Sequence, residues 1–349
     1  MNMLDDLDLI KRLDQQDMYD KIIHLPEQVL KTYDNAKIHR LESPPVKISR
    51  LIICGMGGSA ISGDIAKAAF EHLLPIEIVK NYDLPYCDEN TLVITISYSG
   101  NTEETLSCLQ QAMKAKTMIA AITSGGAMKQ LIQNRYNWIE VEKGFPPRAA
   151  IARLFFSLLL LLEEFRIIPS QAEIVKRTAA LLIKKAASIC LAVPAAENLA
   201  KLAANQIKGK IPVIYSCDAA LFSLACRWKC QINENAKYPA FCHTLPEMNH
   251  NEIEGWEEQL ITKKLLPILL GNLHEKPRLQ KRKEILKNLF SANEIEYLEF
   301  FAEGGSLIEK IFSLVYLGDM ISYYVAILQN TDPTTIDFID HLKTSLERT

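Results

Sequence analysis

The sequence predicts an α/β protein of two domains, each a parallel sheet flanked by helices in three layers. Short apolar segments alternate with segments of helical spacing through the first half, and the alternation begins again near residue 211. Parallel strands need long crossover connections, so strands that alternate with helices indicate parallel sheets. The length of 349 residues suits about two domains, which we place at 1–166 and 167–349.

In the first half, apolar runs separated by polar turns give the order of the elements. Residues 4–36 have helical spacing with a break at Pro26. Strands are expected at 50–54, 76–80, 91–96, 117–122 and 137–141, and a helix is expected over 148–166. The run from Leu154 to Leu162 is too short to cross a bilayer and is followed by two glutamates, so it predicts a buried helix.

In the second half, residues 171–207 are rich in Ala and Lys and are expected to be helical. Further strands are expected at 211–215, at 265–270 and near 296–300, and a long helix is expected over 307–328. The helix that follows the strand at 211–215 carries apolar side chains with helical spacing, namely Leu221, Leu224, Ala225, Trp228 and Ile232. This spacing predicts one buried helix face.

Composition and charge exclude several classes of function. Hydrophobic residues make up 48% and charged residues 23%, which is typical of a globular protein. The net charge of −3 gives no sign of a nucleic-acid footprint. Eight cysteines show neither Cys-x-x-Cys nor zinc-type spacing, so no metal site is expected. The acidic beginning is unlike a signal peptide, so we expect a cytoplasmic protein that binds neither nucleic acid nor membrane.

The most informative segment joins the strand at 91–96 to the next helix. Ser97, Ser99 and Thr102 place three hydroxyl groups in this turn, and Gly100 lets the backbone turn closely. A helix start presents unpaired N–H groups and a partial positive charge, so it favours a bound anion. Hydroxyls without a lysine suit the phosphate of a small molecule better than a nucleoside triphosphate with magnesium. The alternative is an ordinary capped helix with Thr102 as N-cap.

A second turn of the same kind follows the strand at 50–54. It contains Gly57, Gly58 and Ser59 and also opens a helix, where backbone amides can approach an anion. Gly55, Gly57 and Ala60 in and beside this turn also fit the dinucleotide-binding fingerprint, which requires an acidic residue at the end of the next strand. Asp83 comes a little late for that role. Nucleotide binding therefore stays open as an alternative for this turn.

Glu234 and His250 are candidates for acid–base chemistry in the second half. A Glu and a His are the usual pair for moving a proton next to a carbonyl. The ordinary alternatives are a solvated carboxylate near a helix end and a histidine in a turn. The residues that compete for the same roles are Glu247, Glu252, Glu254 and His243.

Arg148 and Lys343 are candidate cations for the same chemistry. Arg148 follows two prolines where a loop meets a helix, which is a rigid placement for a charge that faces an anion. Lys343 lies near the end of the sequence, where a plain surface lysine on a final helix is the alternative.

Taken together, these motifs resemble the bifunctional phosphoglucose/phosphomannose isomerases of the sugar-isomerase (SIS) superfamily. The resemblance lies in segments 55–59, 97–102, 147–148, 233–237, 249–253 and 342–343, in this order. The Ser-x-Ser-Gly-x-Thr turn alone marks only the superfamily, whereas the whole series is specific to the family. Three departures from the family pattern are Thr335, where relatives often have a second proline, the extra Pro146 before Pro147 in the loop of Arg148, and residues 167–210, which carry little family signal.

The resemblance implies two SIS domains and a homodimer with shared active sites. The implied reaction interconverts glucose 6-phosphate, and also mannose 6-phosphate, with fructose 6-phosphate through a cis-enediol intermediate. The implied substrate-binding residues are Ser97, Ser99 and Thr102 for the phosphate, and Gly57, Gly58 and Ser59 for the sugar. No metal or organic cofactor is implied.

The resemblance also assigns catalytic roles. Glu234 would be the base that moves a proton between C1 and C2, and Arg148 would stabilise the negative charge on the intermediate. His250, contributed by the neighbouring subunit, would assist ring opening together with Lys343.

Two other functions are alternatives to the isomerase. A non-catalytic SIS-type regulatory protein that binds sugar phosphates would need the phosphate turn without the acid–base residues. A nucleotide-dependent oxidoreductase would depend on the glycine turn alone. The acid–base set in the second half favours the isomerase.

Overall fold

The computed structural model describes residues 2–39, 47–272 and 275–346. The chain forms two compact units that do not follow chain order. The N-terminal unit consists of His24–Ile183 and Glu303–Ser313, and the C-terminal unit of Met1–Ile23, Lys184–Ala302 and Leu314–Thr349. The boundary between residues 166 and 167 was predicted for the two SIS domains and stays a prediction.

The described part of the N-terminal unit contains one mixed sheet. Its strands are β1 (Lys37–His39), β2 (Arg50–Cys54), β3 (Ile76–Val79), β4 (Thr91–Ser97), β5 (Met118–Thr123) and β6 (Asn137–Glu140). They lie in the order β1-β6-β5-β4-β2-β3, and only the β1–β6 pair is antiparallel. The predicted strands are confirmed to within one residue at each end. The short edge strand β1 was not predicted, because its exposed residues show no apolar run.

The sheet brings together the two turns that the sequence singles out. β2 and β4 are parallel neighbours, with Cys54 opposite Thr95. Because parallel strands share one direction, the turns that follow them emerge at the same edge of the sheet. The glycine turn follows β2 and the hydroxyl turn follows β4. The fold therefore places these turns side by side.

Helices cover the sheets and connect their strands. The α-helices are α1 (Leu7–Leu13), α2 (Met18–Ile23), α3 (Leu25–Asn35), α4 (Gly57–Phe70), α5 (Glu103–Ala115), α6 (Gly126–Ile132), α7 (Ile151–Glu164), α8 (Ala172–Ile189), α9 (Leu199–Ile207), α10 (Phe222–Ala236), α11 (Leu245–Met248), α12 (Gln259–Thr262), α13 (Pro277–Ala292), α14 (Leu307–Leu328) and α15 (Asp337–Leu346). Shorter 3₁₀ helices are Met3–Asp5, Pro147–Ala149, Ala219–Leu221 and Glu252–Glu257. The α/β class is confirmed.

Two long helical predictions are divided into shorter helices. Residues 4–36 form three α-helices, and the third begins at Leu25, so Pro26 lies in its first turn. A proline there removes no intrahelical hydrogen bond, and the break predicted at Pro26 falls just before it. Residues 171–207 form α8 and α9 because Asn198 accepts bonds from the N–H groups of the first turn of α9 and starts a new helix.

The described part of the C-terminal unit contains a parallel sheet. Its strands are β7 (Ile211–Ser216), β8 (Phe241–Thr244), β9 (Leu265–Asn272) and β10 (Leu298–Ala302), in the order β10-β9-β7-β8. The predicted strands correspond to β7, β9 and β10. The edge strand β8 was not predicted, because it is short, partly exposed and carries the polar residues His243 and Thr244.

Two apolar helices belong to the protein core. The run from Leu154 to Leu162 lies in α7, and all but one of its residues are buried, as predicted. Among the described residues, α14 is the one helix long and apolar enough to cross a membrane, and its apolar window is 100% buried inside the folded chain. Both runs therefore serve as interior packing surface.

Candidate functional site

The turn after β4 interlocks with the turn after β5. Gly100 has a φ of +73°, and a Cβ at this position would lie 1.8 Å from the carbonyl oxygen of Gly125. Glycine is therefore required at residue 100 by its backbone conformation and by the close approach. A Cβ on Gly126 would likewise lie 2.5 Å from the carbonyl oxygen of Ser99. This contact holds the hydroxyl-bearing turn in a fixed conformation.

The hydroxyl groups of this turn face one another. The Ser97 and Thr102 hydroxyl oxygens are 2.9 Å apart, and Ser97 Oγ accepts a hydrogen bond from the Gly100 N–H at 3.0 Å. Ser99 is exposed, and its Oγ accepts from the Asn101 N–H at 3.2 Å. Thr102 occupies the N-cap position of α5, but its side chain makes no capping hydrogen bond. The hydroxyls are thus arranged around the helix start, and a helix start favours anions in general.

The glycine turn after β2 lies close to two other segments, the one that contains Arg148 and the end of β4. A Cβ on Gly58 would lie 3.1 Å from the carbonyl oxygen of Pro147, which precedes Arg148. A Cβ on Gly55 would lie 3.0 Å from the carbonyl oxygen of Ile96, at the end of β4. Arg148 is buried, with 4% of its surface exposed. The structure therefore brings the glycine turn, the hydroxyl turn and Arg148 together.

The nucleotide-binding alternative lacks its acidic residue. β3 ends at Val79, and Asp83 lies beyond that end in an exposed segment without regular structure. The dinucleotide fingerprint needs an acidic side chain at the strand end to hold a ribose. The glycine turn consequently fits a smaller phosphorylated ligand better than a dinucleotide.

Lys143 lies beside the hydroxyl-bearing turn, a position that its sequence context does not predict. A Cβ on Gly125 would lie 3.2 Å from Lys143 Nζ, and Gly125 itself packs against Gly100. The expectation of hydroxyls without a lysine therefore holds for the turn's own sequence but not for its surroundings. Lys143 follows β6 at the edge of the sheet that carries the other turns, and that position is the signal that could have identified it.

Glu234 lies in the last turn of α10, beside a depression of about 520 Å³. The lining residues are Asn233, Glu234, Lys237, Tyr238, Pro239, Ile336, Asp337, Phe338 and Ile339. Asn233 Nδ2 donates to the carbonyl oxygen of Tyr238 at 2.8 Å, and Lys237 ends the helix with a φ of +52°. These features fix the helix end that carries the Glu234 carboxylate.

His250 lies in a turn after α11 and is exposed. Its backbone N–H donates to the carbonyl oxygen of Glu247 at 3.0 Å. Glu247 also accepts from Asn251 Nδ2 at 3.1 Å. The turn therefore presents the imidazole at the surface of the C-terminal unit.

The competing residues Glu252 and His243 form a cluster with Tyr215. Glu252 accepts a hydrogen bond from the Tyr215 hydroxyl, and its Oε2 lies 3.2 Å from His243 Nδ1. Trp256 Nε1 donates to the same tyrosine oxygen at 3.2 Å. Burial and the Glu252 carboxylate both raise the pKa of Tyr215, so its hydroxyl stays protonated and donates. This cluster anchors the segment next to His250, which leaves His250 as the more accessible histidine.

Lys343 lies on α15, a helix with no buried residue. Its Nζ is 3.9 Å from Asp340 Oδ1, and 62% of its side chain is exposed. The beginning of α15 lines the depression beside Glu234, whereas Lys343 lies further along the helix. Asp340 is thus the partner that the structure gives to this lysine.

Within the three described ranges, no group of three or more His, Cys, Asp or Glu side chains could hold a metal ion. The candidate residues instead offer hydroxyls, backbone amides, one buried guanidinium and a carboxylate. These groups can bind a phosphate and transfer a proton next to a carbonyl.

Two models of protein families match the chain. Residues 46–144 match the SIS domain, and residues 196–346 match the bacterial phospho-glucose isomerase C-terminal SIS domain. A bifunctional phosphoglucose/phosphomannose isomerase from Caldicellulosiruptor bescii is 35% identical over 334 residues, which cover 94% of this chain and 98% of the relative. The chain belongs to the bifunctional phosphoglucose/phosphomannose isomerase family. The predicted pair of SIS domains is confirmed.

Two further relatives are similar to the chain, one with the family's name and one with another activity in its name. A bifunctional phosphoglucose/phosphomannose isomerase from Aquifex aeolicus is 34% identical and covers 85% of this chain and 90% of its own length. A D-glucosamine-6-phosphate 4-epimerase from Sulfolobus acidocaldarius is 33% identical, with 62% of this chain and 67% of the relative covered.

Solved structures share the fold of this phosphoglucose/phosphomannose isomerase family member. A hypothetical protein from Thermus thermophilus superposes with a TM-score of 0.75 at 14% identity, covering 98% of this chain and 93% of its own. A glucose-6-phosphate isomerase from Chlamydia trachomatis superposes with a TM-score of 0.66 at 15% identity, covering 95% and 72%.

Proposed function

We propose that this family member is an aldose–ketose isomerase that interconverts glucose 6-phosphate, and also mannose 6-phosphate, with fructose 6-phosphate. One observation carries the proposal: the glycine turn packs against the Pro147–Arg148 segment and lies beside the hydroxyl-bearing turn. This arrangement occurs in a chain that is similar over 94% of its length to a named phosphoglucose/phosphomannose isomerase.

The phosphate and the sugar are assigned to the N-terminal unit. The assigned residues are Ser97, Ser99 and Thr102 for the phosphate, and Gly57, Gly58 and Ser59 for the sugar. The start of α5 adds backbone N–H groups and a favourable dipole at the phosphate. Phosphate binding away from the reacting carbons supplies energy that positions C1 and C2 for proton transfer.

Proton transfer is assigned to Glu234. In the open-chain aldose, the Glu234 carboxylate takes the proton from C2 while the oxygen on C1 gains a proton, which forms a cis-enediol. Glu234 then delivers a proton to C1 while the oxygen on C2 loses its proton, which gives the ketose. Arg148 stabilises negative charge that develops on the enediol oxygens. His250, together with Lys343, assists opening of the sugar ring by proton transfer to the ring oxygen.

We also propose that the enzyme is a cytoplasmic homodimer that works in glycolysis and gluconeogenesis, with His250 contributed by the neighbouring subunit. Exposed apolar side chains on α15 support the homodimer, because a second subunit can bury them. Phe338, Leu342 and Leu346 recur every four residues on one face of this helix and are 93%, 59% and 51% exposed. Native mass spectrometry of the purified protein tests the proposal, because a monomer at micromolar concentration contradicts it.

The activity is tested by incubating purified protein with fructose 6-phosphate and coupling the product to glucose-6-phosphate dehydrogenase. We expect reduction of NADP, and in heavy water we expect deuterium at C2 of the glucose 6-phosphate. This label arises because a proton held by a carboxylate exchanges with solvent before it returns to carbon. Mannose 6-phosphate, followed by the appearance of fructose 6-phosphate, is the second substrate.

Two results would contradict the proposal. Calorimetric binding of fructose 6-phosphate without turnover would support the non-catalytic regulatory protein. Conversion of glucosamine 6-phosphate without formation of glucose 6-phosphate would place the chain with the epimerase relative instead.

A further inference from the structure

Two thiols of the C-terminal unit lie within reach of each other, outside the residues assigned to isomerisation. Cys226 on α10 and Cys242 on β8 have their sulfur atoms 3.6 Å apart. A disulfide bond is about 2.0 Å long, so modest rotations of the two side chains would bring the sulfurs to bonding distance. Neither residue is fully buried. A small oxidant can therefore reach this pair from solvent.

The surroundings favour ionisation of one thiol. The hydrogen bond between Cys226 and Cys242 lowers the pKa of Cys242, and the positive charge of Lys229 acts in the same direction, whereas burial opposes both. Cys230, one turn further along α10, differs because burial raises the pKa of its thiol. Since the thiolate is the reactive species, Cys242 is the nucleophile of this group.

We propose that Cys226 and Cys242 form a peroxide-oxidisable dithiol that closes to a disulfide. The Cys242 thiolate attacks one oxygen of hydrogen peroxide, so that a sulfur–oxygen bond forms, the oxygen–oxygen bond breaks and one water leaves after protonation. The Cys226 thiol then loses its proton and attacks the resulting sulfenic sulfur, which releases a second water. Two thiols lose two electrons in total, and one peroxide is reduced to two waters.

The cross-link would join α10 to the edge strand β8. It would close the loop formed by residues 226–242, which contains Glu234. The oxidation itself does not depend on the proposed function, whereas its bearing on catalysis rests on the assignment of Glu234 as the base. Disulfide formation between Cys226 and Cys242 can therefore be observed whether or not the chain is an isomerase.

The test treats the native full-length protein with hydrogen peroxide at about tenfold excess, then alkylates the remaining thiols after unfolding. We expect two fewer alkylated cysteines per chain and a peptide pair joined through Cys226 and Cys242, both reversed by dithiothreitol. A Cys226→Ser variant should accumulate a sulfenic acid at Cys242, trapped with dimedone. A Cys242→Ser variant should leave Cys226 reduced.

Cys54 and Cys108 provide an internal control, because their thiols also share a hydrogen bond but both residues are 0% exposed. They should stay reduced under the same conditions. The proposal is overturned if Cys226 and Cys242 are both recovered as alkylated thiols, or if Cys242 pairs with Cys230 instead. Oxidation of Cys54 and Cys108 at the same rate would also overturn the proposal, because solvent exposure would then not explain why Cys226 and Cys242 react.

Discussion

Thr102 is the residue at which phosphate binding and helix capping can be separated. It stands at the N-cap position of α5, yet its hydroxyl contacts Ser97 rather than the helix backbone. Its removal therefore costs the helix no side-chain cap. A bound phosphate, in contrast, would lose one donor in a charge-assisted hydrogen bond.

We expect Thr102→Val to raise the KM for fructose 6-phosphate by about tenfold to a hundredfold, because a hydrogen bond to a charged group contributes about 1.5–3 kcal/mol. The free energy of unfolding should change by less than about 1 kcal/mol. Steady-state kinetics and urea unfolding measure the two effects. Ser107→Ala is the matched control on the same helix, since its hydroxyl donates to the carbonyl oxygen of Tyr82 at 2.9 Å, away from the turn. An equal rise in KM for both variants would contradict the assignment.

Glu234 is the residue on which turnover is expected to depend. Glu234→Gln keeps the size and hydrogen-bonding ability of the side chain but cannot accept the proton from carbon. We expect kcat to fall by at least about a hundredfold, because general acid–base catalysis typically contributes about 10²–10⁴-fold. The apparent affinity for the sugar phosphate should change little.

Glu247→Gln serves as the comparison for Glu234, because Glu247 competed for the same role in the sequence and interacts with Asn251 instead. This variant should keep kcat within about threefold of the parent. Coupled assays at matched protein concentrations compare the kcat of Glu234→Gln with that of Glu247→Gln. If Glu247→Gln, rather than Glu234→Gln, abolishes turnover, the base has been assigned to the wrong carboxylate.

At the scale of elements, α10 is held to α14 by buried polar bonds. Arg227 Nη2 lies 2.6 Å from Asp319 Oδ2, and Gln231 Nε2 donates to Asp319 Oδ1 at 2.8 Å. Trp228 Nε1 donates to the carbonyl oxygen of Leu314 at 2.9 Å, and a Cβ on Gly318 would lie 2.2 Å from that nitrogen. The close approach of the two helices therefore depends on a glycine.

We expect Asp319→Ala to lower the free energy of unfolding by about 3–5 kcal/mol, because it leaves the Arg227 charge buried without its carboxylate. Replacing Arg227, Gln231 and Asp319 together by Met, Met and Leu should recover most of this loss, since well-packed apolar side chains often equal a buried ion pair. Urea unfolding of the three proteins provides the comparison. A triple variant less stable than Asp319→Ala would show that the polar network itself is required for folding.

The sequence predicts elements where burial follows a simple period and misses those set by tertiary packing. The apolar side chains from Leu224 to Ile232 on α10 are buried as their spacing predicts, and so is Leu221 just before the helix. The polar contact between α10 and α14 has no periodic signal in the sequence, because Asp319 is buried together with its partners Arg227 and Gln231 on the other helix. Edge strands β1 and β8 were missed for a related reason, since their pairing comes from a neighbouring strand rather than from their own composition.

In the candidate site as well, some residues could be predicted from the sequence and others could not. The three hydroxyl residues are close together in the sequence, so their clustering in one turn could be predicted. They are Ser97, Ser99 and Thr102. The contact of Lys143 with Gly125 joins turns after different strands, and spacing contains no information about it. Site residues that belong to one turn can therefore be predicted from a single sequence. Site residues that follow a different strand can be identified only once the fold is known.

At the scale of the whole molecule, the first residues of the chain belong to the unit formed mainly by its second half. Lys201 is 0% exposed, and its Nζ lies 2.9 Å from Asp5 Oδ1. The same Nζ donates to the carbonyl oxygens of Leu191 and Val193 at 3.0 and 2.9 Å. The N-terminal segment thus supplies the negative charge for a lysine buried in the C-terminal unit.

We expect Asp5→Asn to lower the free energy of unfolding by about 1–3 kcal/mol at pH 7, because a buried ammonium loses its anionic partner. The hydrogen bond from Lys201 lowers the pKa of Asp5, so its stabilisation is fully present above the aspartate pKa of the unfolded chain. It is lost as the pH falls through the lower pKa of the folded state. The difference between the variant and the parent should therefore shrink below about pH 4.

Hydrogen exchange locates the effect of Asp5→Asn within the chain. Protection should fall for amides of 184–302, although the substituted residue lies more than a hundred and seventy residues earlier in sequence. Lys31→Ala is the control, because its exposed pair with Glu142 lies in the N-terminal unit, and exposed pairs contribute little. If Asp5→Asn instead reduces protection in 47–183 and spares 184–302, the N-terminal segment stabilises the other unit, and the division of the chain described above is wrong.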